Sequence, residues 1–221
     1  MKVRLIRVTQ DPEELIQFAA AICTGTEDRP TKQAMLTAIE SGHLSITEHT
    51  SFTFYVEGVS RALLAQLTRH RIASFSVQSQ RYVNMQEMPV VTPPTIQDDP
   101  QTLAEYKKLM RDIRDFYHRA ISRGIPKEDA RFATPQATCT KLLMTMNARE
   151  LNNFLALREC NKAQWEIRQL ASLILGICKS RMPNVFIRSG APCRYGNCPE
   201  KRPCEQGPKN RKEVPANVHG V

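Results

Sequence analysis

Across 221 residues no apolar run approaches the roughly 20 residues that span a bilayer, so a membrane-crossing helix is not expected. The opening "MKVRLIRVTQ" alternates too often with Arg to serve as a signal-peptide core, and a cytoplasmic protein is the reading that follows. Neither GxGxxG nor GxxxxGK[ST] occurs, which argues against the familiar dinucleotide and nucleoside-triphosphate loops. Aromatic residues make up only 6%, and no common RNA-binding signature is present. His43 and His49 flank "LSITE" without metal-ligand spacing, and no metal site is assigned to the histidines. Seven cysteines, an odd number, suit a reducing compartment better than a disulfide framework.

Positive charge, by contrast, is in excess. Lys and Arg number 31 against 22 Asp and Glu, a net +9 that favours anionic partners. The excess is densest in "RHRIASFSVQSQRY", Arg69 to Tyr82, where no acid appears at all. Forked guanidinium donors match phosphate oxygens, while the neighbouring hydroxyls and amides suit a base. Two other readings stand beside this one. Cations at a helix end compensate its dipole, and a basic stretch can bind nucleic acid as a simple module.

Patterning predicts one domain built of strands and helices, with no internal repeat. "KVRLIRVTQ" reads as a strand, followed by a helix capped by Asp11, begun by Pro12 and stopped by Gly25. "TKQAMLTAIESG" gives a second helix ending at Gly42. "SFTFYVEGV" alternates Phe52, Phe54 and Val56 against Thr53, Tyr55 and Glu57, a strand. Ser60 caps "RALLAQLTRH", and "VVTPPTIQDDP" reads as a loop. Leu103, Tyr106, Met110, Ile113, Tyr117 and Ala120 recur at helical spacing up to Gly124. "ATCTKLLMTM" reads as a strand. Asn147 and Glu150 form a capping-box pattern, and Asn161 is the predicted cap of a last helix carrying Ile167, Leu170, Ala171, Ile174, Ile177 and Cys178 on one face. The expected division is one folded domain over 1–183 and a Cys- and Pro-rich tail over 184–221.

Arg158 falls four and seven residues after Phe154 and Leu151, near the apolar face of its helix. It either snorkels to water or holds a guanidinium in a partly dry pocket, where its field is less screened. His118 reads as a surface or boundary residue. Cys193, Cys198 and Cys204 would hold zinc only with a fourth ligand, and a reduced or disulfide-forming tail is the competing reading.

Arg69, His70, Arg71, Ser74, Ser79 and Arg81 match RHRxxSxxxxSxR, which resembles the signature of flavin-dependent thymidylate synthases. The resemblance extends through "GHLSITEHTSFTF" and "MNARELNNFLALRECNKAQWEIRQLA". It implies reductive methylation of dUMP to dTMP, with 5,10-methylenetetrahydrofolate giving the carbon and NADPH reducing FAD. It also implies an α+β fold, with a mixed or antiparallel sheet and several long helices, assembled as a homotetramer with active sites at subunit interfaces. By motif position, His49, Ser51, Arg69, His70, Arg71, Ile72, Val77, Asn147, Arg149 and Asn153 would meet the flavin. Gln66, Arg69, Gln78, Ser79, Gln80, Arg81, Arg131 and Arg158 would meet dUMP, with Arg158 favouring ionisation of the uracil. Val77, Gln80 and Lys162 depart from the common Glu, Gly and His. No cysteine lies in the signature, so the resemblance implies activation without a thiolate nucleophile.

Overall fold

A computed structural model describes residues 1–83, 87, 89–196 and 198–204. Four strands form one sheet in the order β1-β2-β4-β3: β1 Lys2–Val8, β2 Ser51–Ser60, β3 Ser74–Val77 and β4 Cys139–Asn147. The helices are α1 Pro12–Thr24, α2 Lys32–Glu40, α3 Arg61–Leu67, α4 Pro94–Gln97, α5 Pro100–Ser122, α6 Lys127–Ala130, α7 Ala148–Arg158, α8 Trp165–Arg181 and α9 Pro183–Phe186. β1 runs antiparallel to β2: Thr9 pairs with Ser51 at one end and Lys2 with Glu57 at the other. β2 is antiparallel to β4 by the same logic, with Thr53 opposite Thr145 and the Arg61 amide on the Thr138 carbonyl. The mixture of helix and antiparallel strands is the α+β class that the resemblance implies.

Contacts gather the chain into two compact units. One comprises Met1–Lys2, Val56–Arg69 and Phe75–Leu143; the other comprises Val3–Tyr55, His70–Ser74 and the chain from Met144 onward. In the first unit, Ser60 accepts the Leu63 amide at 3.0 Å, the cap expected of it, and α3 buries Leu63, Leu64 and Leu67. Its long helix α5 turns Tyr117 and Ala120 inward against Ala130, Ile113 and Ile121. The proline-rich stretch is not all loop. Pro93 and Pro94 preset the backbone for the short helix α4, because proline at the first position loses no helical hydrogen bond.

In the second unit the alternation of β2 buries Phe52 and Phe54, which stack at 5.9 Å, and Phe186 meets Phe52 edge-on at 5.7 Å. α8 buries Ile167, Leu170, Ala171, Ile174 and Cys178, as its periodicity predicts, while Ile177 is only half-buried and Leu175 is buried as well. Burial pushes the Cys178 thiol far above its ordinary range. Three end signals differ from expectation. Asp11 precedes α1 but sits in the left-handed region, φ 43°, and its side chain caps nothing. Gln164, not Asn161, caps α8 by accepting the Glu166 and Ile167 amides; Asn161 instead accepts from Arg168. Asn147 does cap α7, accepting the Glu150 amide at 2.8 Å, but Glu150 does not complete a reciprocal box.

Beyond Pro183, Val185, Phe186 and Ala191 are buried, and Asn184 donates its amides to Glu13. Phe186→Ala is therefore expected to lower unfolding free energy by about 3–5 kcal/mol, read from urea denaturation with an unchanged slope. Alkylation of the folded protein, followed by mass spectrometry, should modify exposed Cys23 and leave Cys178 unmodified until denaturant is added.

Candidate active site

α3 ends at Leu67, so Arg69, His70 and Arg71 stand beyond its last turn instead of within it. This weakens the reading of these cations as dipole compensation, which requires them in the final turn. The unexpected strand β3 follows at once, with the Gln78 amide on the Lys141 carbonyl at 3.0 Å. Residues of the signature divide between the two units.

In the second unit, His70 is 6% exposed and joined to α7 through both ring nitrogens. Its Nδ1 lies 2.9 Å from Glu150 Oε1, and Arg158 Nε donates to its Nε2 at 3.1 Å. An arginine Nε carries a proton at all accessible pH, so Nε2 must offer a lone pair. The ring proton therefore sits on Nδ1 and is donated to the carboxylate. Asn153 Nδ2 donates to the other oxygen of Glu150 at 3.2 Å. Phe154 meets the imidazole edge-on at 5.2 Å, which holds the ring plane. Arg158 is half-buried, and its Nε is held against the buried His70.

The N-terminal end of α7 gathers other predicted contacts. The Ala148 amide donates to the Thr50 carbonyl at 2.9 Å, and Arg149 pairs with Glu48. These bonds set the 3-10 turn Leu44–His49 and the start of β2 beside Asn147, so exposed His49 and Ser51 neighbour the helix N-terminus. Arg71 and Ile72 are exposed, Ile72 by 68%. Exposed cations and an exposed aliphatic side chain are the residue types that an anionic ligand with an apolar ring system needs.

Arg69 and Val77, the remaining predicted flavin contacts, belong to the first unit. There, Arg81 donates through Nε and through a terminal nitrogen to Glu128 Oε2, both at 2.9 Å. Arg131 Nε donates to the Glu128 carbonyl at 3.1 Å. Thr134 Oγ1 receives Gln80 Nε2 at 3.4 Å and donates to the Arg131 carbonyl at 2.7 Å. Ser79 Oγ accepts the Arg81 amide at 3.2 Å. Gln80, Arg81 and Arg131 are thus brought together by the short turns around α6, although the sequence separates them by some fifty positions. Gln66 sits half-buried on α3, and Gln78 is half-buried after β3.

Sequence reasoning missed two carboxylates here. Glu128 orients Arg81 from outside the acid-free stretch, and Glu150 reads locally as a helix cap. Only a search for distant counter-ions to a run of cations would have raised either residue.

Lys162, at the position where the family often has His, donates to Glu200 Oε2 at 2.9 Å and to the Arg202 carbonyl. The Glu200 bond holds its ammonium above the usual lysine range. In the tail, Asn161 approaches Cys204 Sγ at 3.9 Å, and burial with the fields of Cys198, Cys160 and Cys204 pushes the Cys193 thiol up. Among the described residues, no three His, Cys, Asp or Glu side chains are placed to hold a metal ion. No described helix is long and apolar enough to cross a membrane.

Comparison with known proteins agrees with the signature. A family model described as thymidylate synthase complementing protein matches residues 4–184. A protein of Geobacter sulfurreducens named flavin-dependent thymidylate synthase is 43% identical over 212 residues, covering 90% of this chain and 91% of the relative. Proteins with the same name from Nitratidesulfovibrio vulgaris and Pyrococcus furiosus are 41% and 39% identical, covering 90% and 91% of this chain and 91% and 90% of their own lengths. With a family model over most of its length and such relatives, the chain belongs to the flavin-dependent thymidylate synthase family.

Proposed function

We propose that this protein converts dUMP to dTMP, taking the one-carbon unit from 5,10-methylenetetrahydrofolate and working with FAD and NADPH. The observation that carries the reading is Arg158: a half-buried arginine, its guanidinium oriented through Nε, on the helix whose start gathers the predicted flavin contacts. Family membership turns the oligonucleotide-binding alternative into the weaker reading of the same charge.

The chemistry follows from the residues. Uracil C5 is a poor nucleophile, and its reactivity rises when negative charge develops on the ring. A guanidinium beside the pyrimidine stabilises that charge at N3 without forming a bond, and in a partly dry site its field is stronger than in water. Arg158 takes this role, so no cysteine nucleophile enters. Gln66, Arg69, Gln78, Ser79, Gln80, Arg81 and Arg131 bind the nucleotide, with the guanidiniums of Arg81 and Arg131 directed to its phosphate. His49, Ser51, Arg69, His70, Arg71, Ile72, Val77, Asn147, Arg149 and Asn153 form the flavin site. Arg71, Arg149 and the α7 N-terminus suit the pyrophosphate of FAD, and exposed Ile72 suits its apolar ring. Bound FAD, reduced by NADPH, supplies the hydride. We further assign a homotetramer with sites completed at subunit interfaces, in a reducing cytoplasm where the thiols stay unpaired.

The purified protein should be yellow, and dUMP should perturb its visible spectrum. Arg158→Ala is expected to lower dTMP formation by about 10²–10³-fold while flavin absorbance is retained. Near wild-type turnover in that variant would remove Arg158 from the role. Arg81→Ala should act differently, raising KM for dUMP by about tenfold or more with a much smaller change in kcat, because hydrogen bonds to charged groups contribute roughly 1.5–3 kcal/mol. A fall in kcat with KM unchanged would exclude phosphate binding by Arg81.

A further inference from the structure

The Arg158–His70–Glu150 chain asks for a reason that nucleotide and flavin binding do not provide. Both ring nitrogens of His70 are used inside the protein, and its side chain is 5% exposed. Glu150 is equally hidden, at 7%. A buried carboxylate is unfavourable by several kcal/mol unless it is paired and hydrogen-bonded. Here it is both, through His70 and Asn153.

We infer that Glu150 and His70 are positioning residues for Arg158: the carboxylate fixes one tautomer of the imidazole, and the lone pair of that tautomer fixes the guanidinium. This rests on the role proposed for Arg158. The physical sequence has three steps. Glu150 accepts only, so it selects the imidazole with its proton on Nδ1. That tautomer presents an acceptor at Nε2. The acceptor binds the one guanidinium nitrogen that lies along the side chain, Nε, and thereby fixes the plane of the whole group.

The opposite tautomer would turn an N–H toward another N–H and break this bond. Arg158 is the last residue of α7, where helix ends fray and a fixed acceptor on Nε adds order. A displacement of about 1 Å in an active group lowers rate on the order of 10²-fold, so an oriented guanidinium is worth building. Phe154, one turn before Arg158, completes the clamp by packing against the ring edge.

The test compares His70→Leu, His70→Gln and Glu150→Gln with Arg158→Ala, measuring kcat, KM for dUMP, flavin content and thermal unfolding. Ring ¹⁵N–¹H NMR of wild-type and Glu150→Gln protein is recorded alongside. Glutamine places a carbonyl oxygen near the position of Nε2, so it keeps an acceptor for Arg158, whereas leucine does not. We expect His70→Leu to lower kcat about 10²-fold with little change in KM, and His70→Gln to restore turnover to within about tenfold of wild type. NMR should find the His70 proton on Nδ1 in the wild type, with Nε2–H appearing in Glu150→Gln.

Equal losses in the leucine and glutamine variants, or a wild-type proton on Nε2, would overturn the inference. The two proposals fail separately. If Arg158→Ala retains turnover, the uracil-activating role fails. If Arg158→Ala loses turnover and folded His70→Leu does not, the positioning role alone fails. Should His70→Leu not fold, the wild-type tautomer and the glutamine variant decide.

Discussion

Glu150 is a carboxylate with 7% of its side chain exposed, set in the first turn of α7. In that turn the partial positive charge of the helix N-terminus favours an anion, which offsets part of the desolvation. The remainder is met by specific donors. His70 comes from a segment eighty positions earlier, and Asn153 comes from the next turn of the same helix. A buried acid with two such donors is a polar tie that the apolar core cannot replace, because removing either partner strands a charge. It joins the signature segment to α7, and with it the side chains that this segment and this helix display together: Arg71, Ile72, Arg149, Asn153 and Arg158.

Much of the second unit is legible in local pattern because the forces that build it are local in sequence. Alternation along β2 predicts Phe52 and Phe54 inside, and they are fully buried. The spacing of apolar residues on α8 predicts its buried face for the same reason: a period of 3.6 puts Ile167, Leu170, Ala171 and Ile174 on one side. End signals are less readable. Asn161 and Gln164 both carry a side-chain carbonyl near the start of α8, and what separates them is which amides come within reach. Arg168 occupies Asn161, while Gln164 meets two amides. The four residues of β3 are polar at every second place and too short to register as a strand. Pairing beside β4 makes them one.

The candidate site divides along the same line. Cations and their spacing are visible in "RHRIASFSVQSQRY", and the position of Arg158 near an apolar face follows from counting along a helix. Counter-ions are not visible. Glu128 reaches Arg81 across forty-seven positions, and nothing near it in sequence marks it out. Glu150 leaves a local trace, but the wrong one: three residues after Asn147, an acid is the usual partner in a capping box. Asn147 does its part, while the carboxylate turns to His70. Sequence pattern ranks the local use of a residue above a distant one, and functional sites are where the distant use wins.

A final question is why an imidazole stands between Glu150 and Arg158 when the acid could bind the guanidinium directly. A direct pair would hold the arginine at least as firmly, since carboxylate and guanidinium match in a bidentate fork. It would also place a full negative charge against the cation whose field the proposed role uses. Coulomb energy falls with distance, so a carboxylate in contact cancels most of that field while one set back by a ring cancels less. The interposed histidine, neutral and proton-bearing at Nδ1, transmits direction with little charge. It gives Arg158 a defined plane and keeps the Glu150 carboxylate inside the core. In the role proposed for Arg158, orientation and electrostatic strength make conflicting demands, and a neutral acceptor backed by a buried acid serves both.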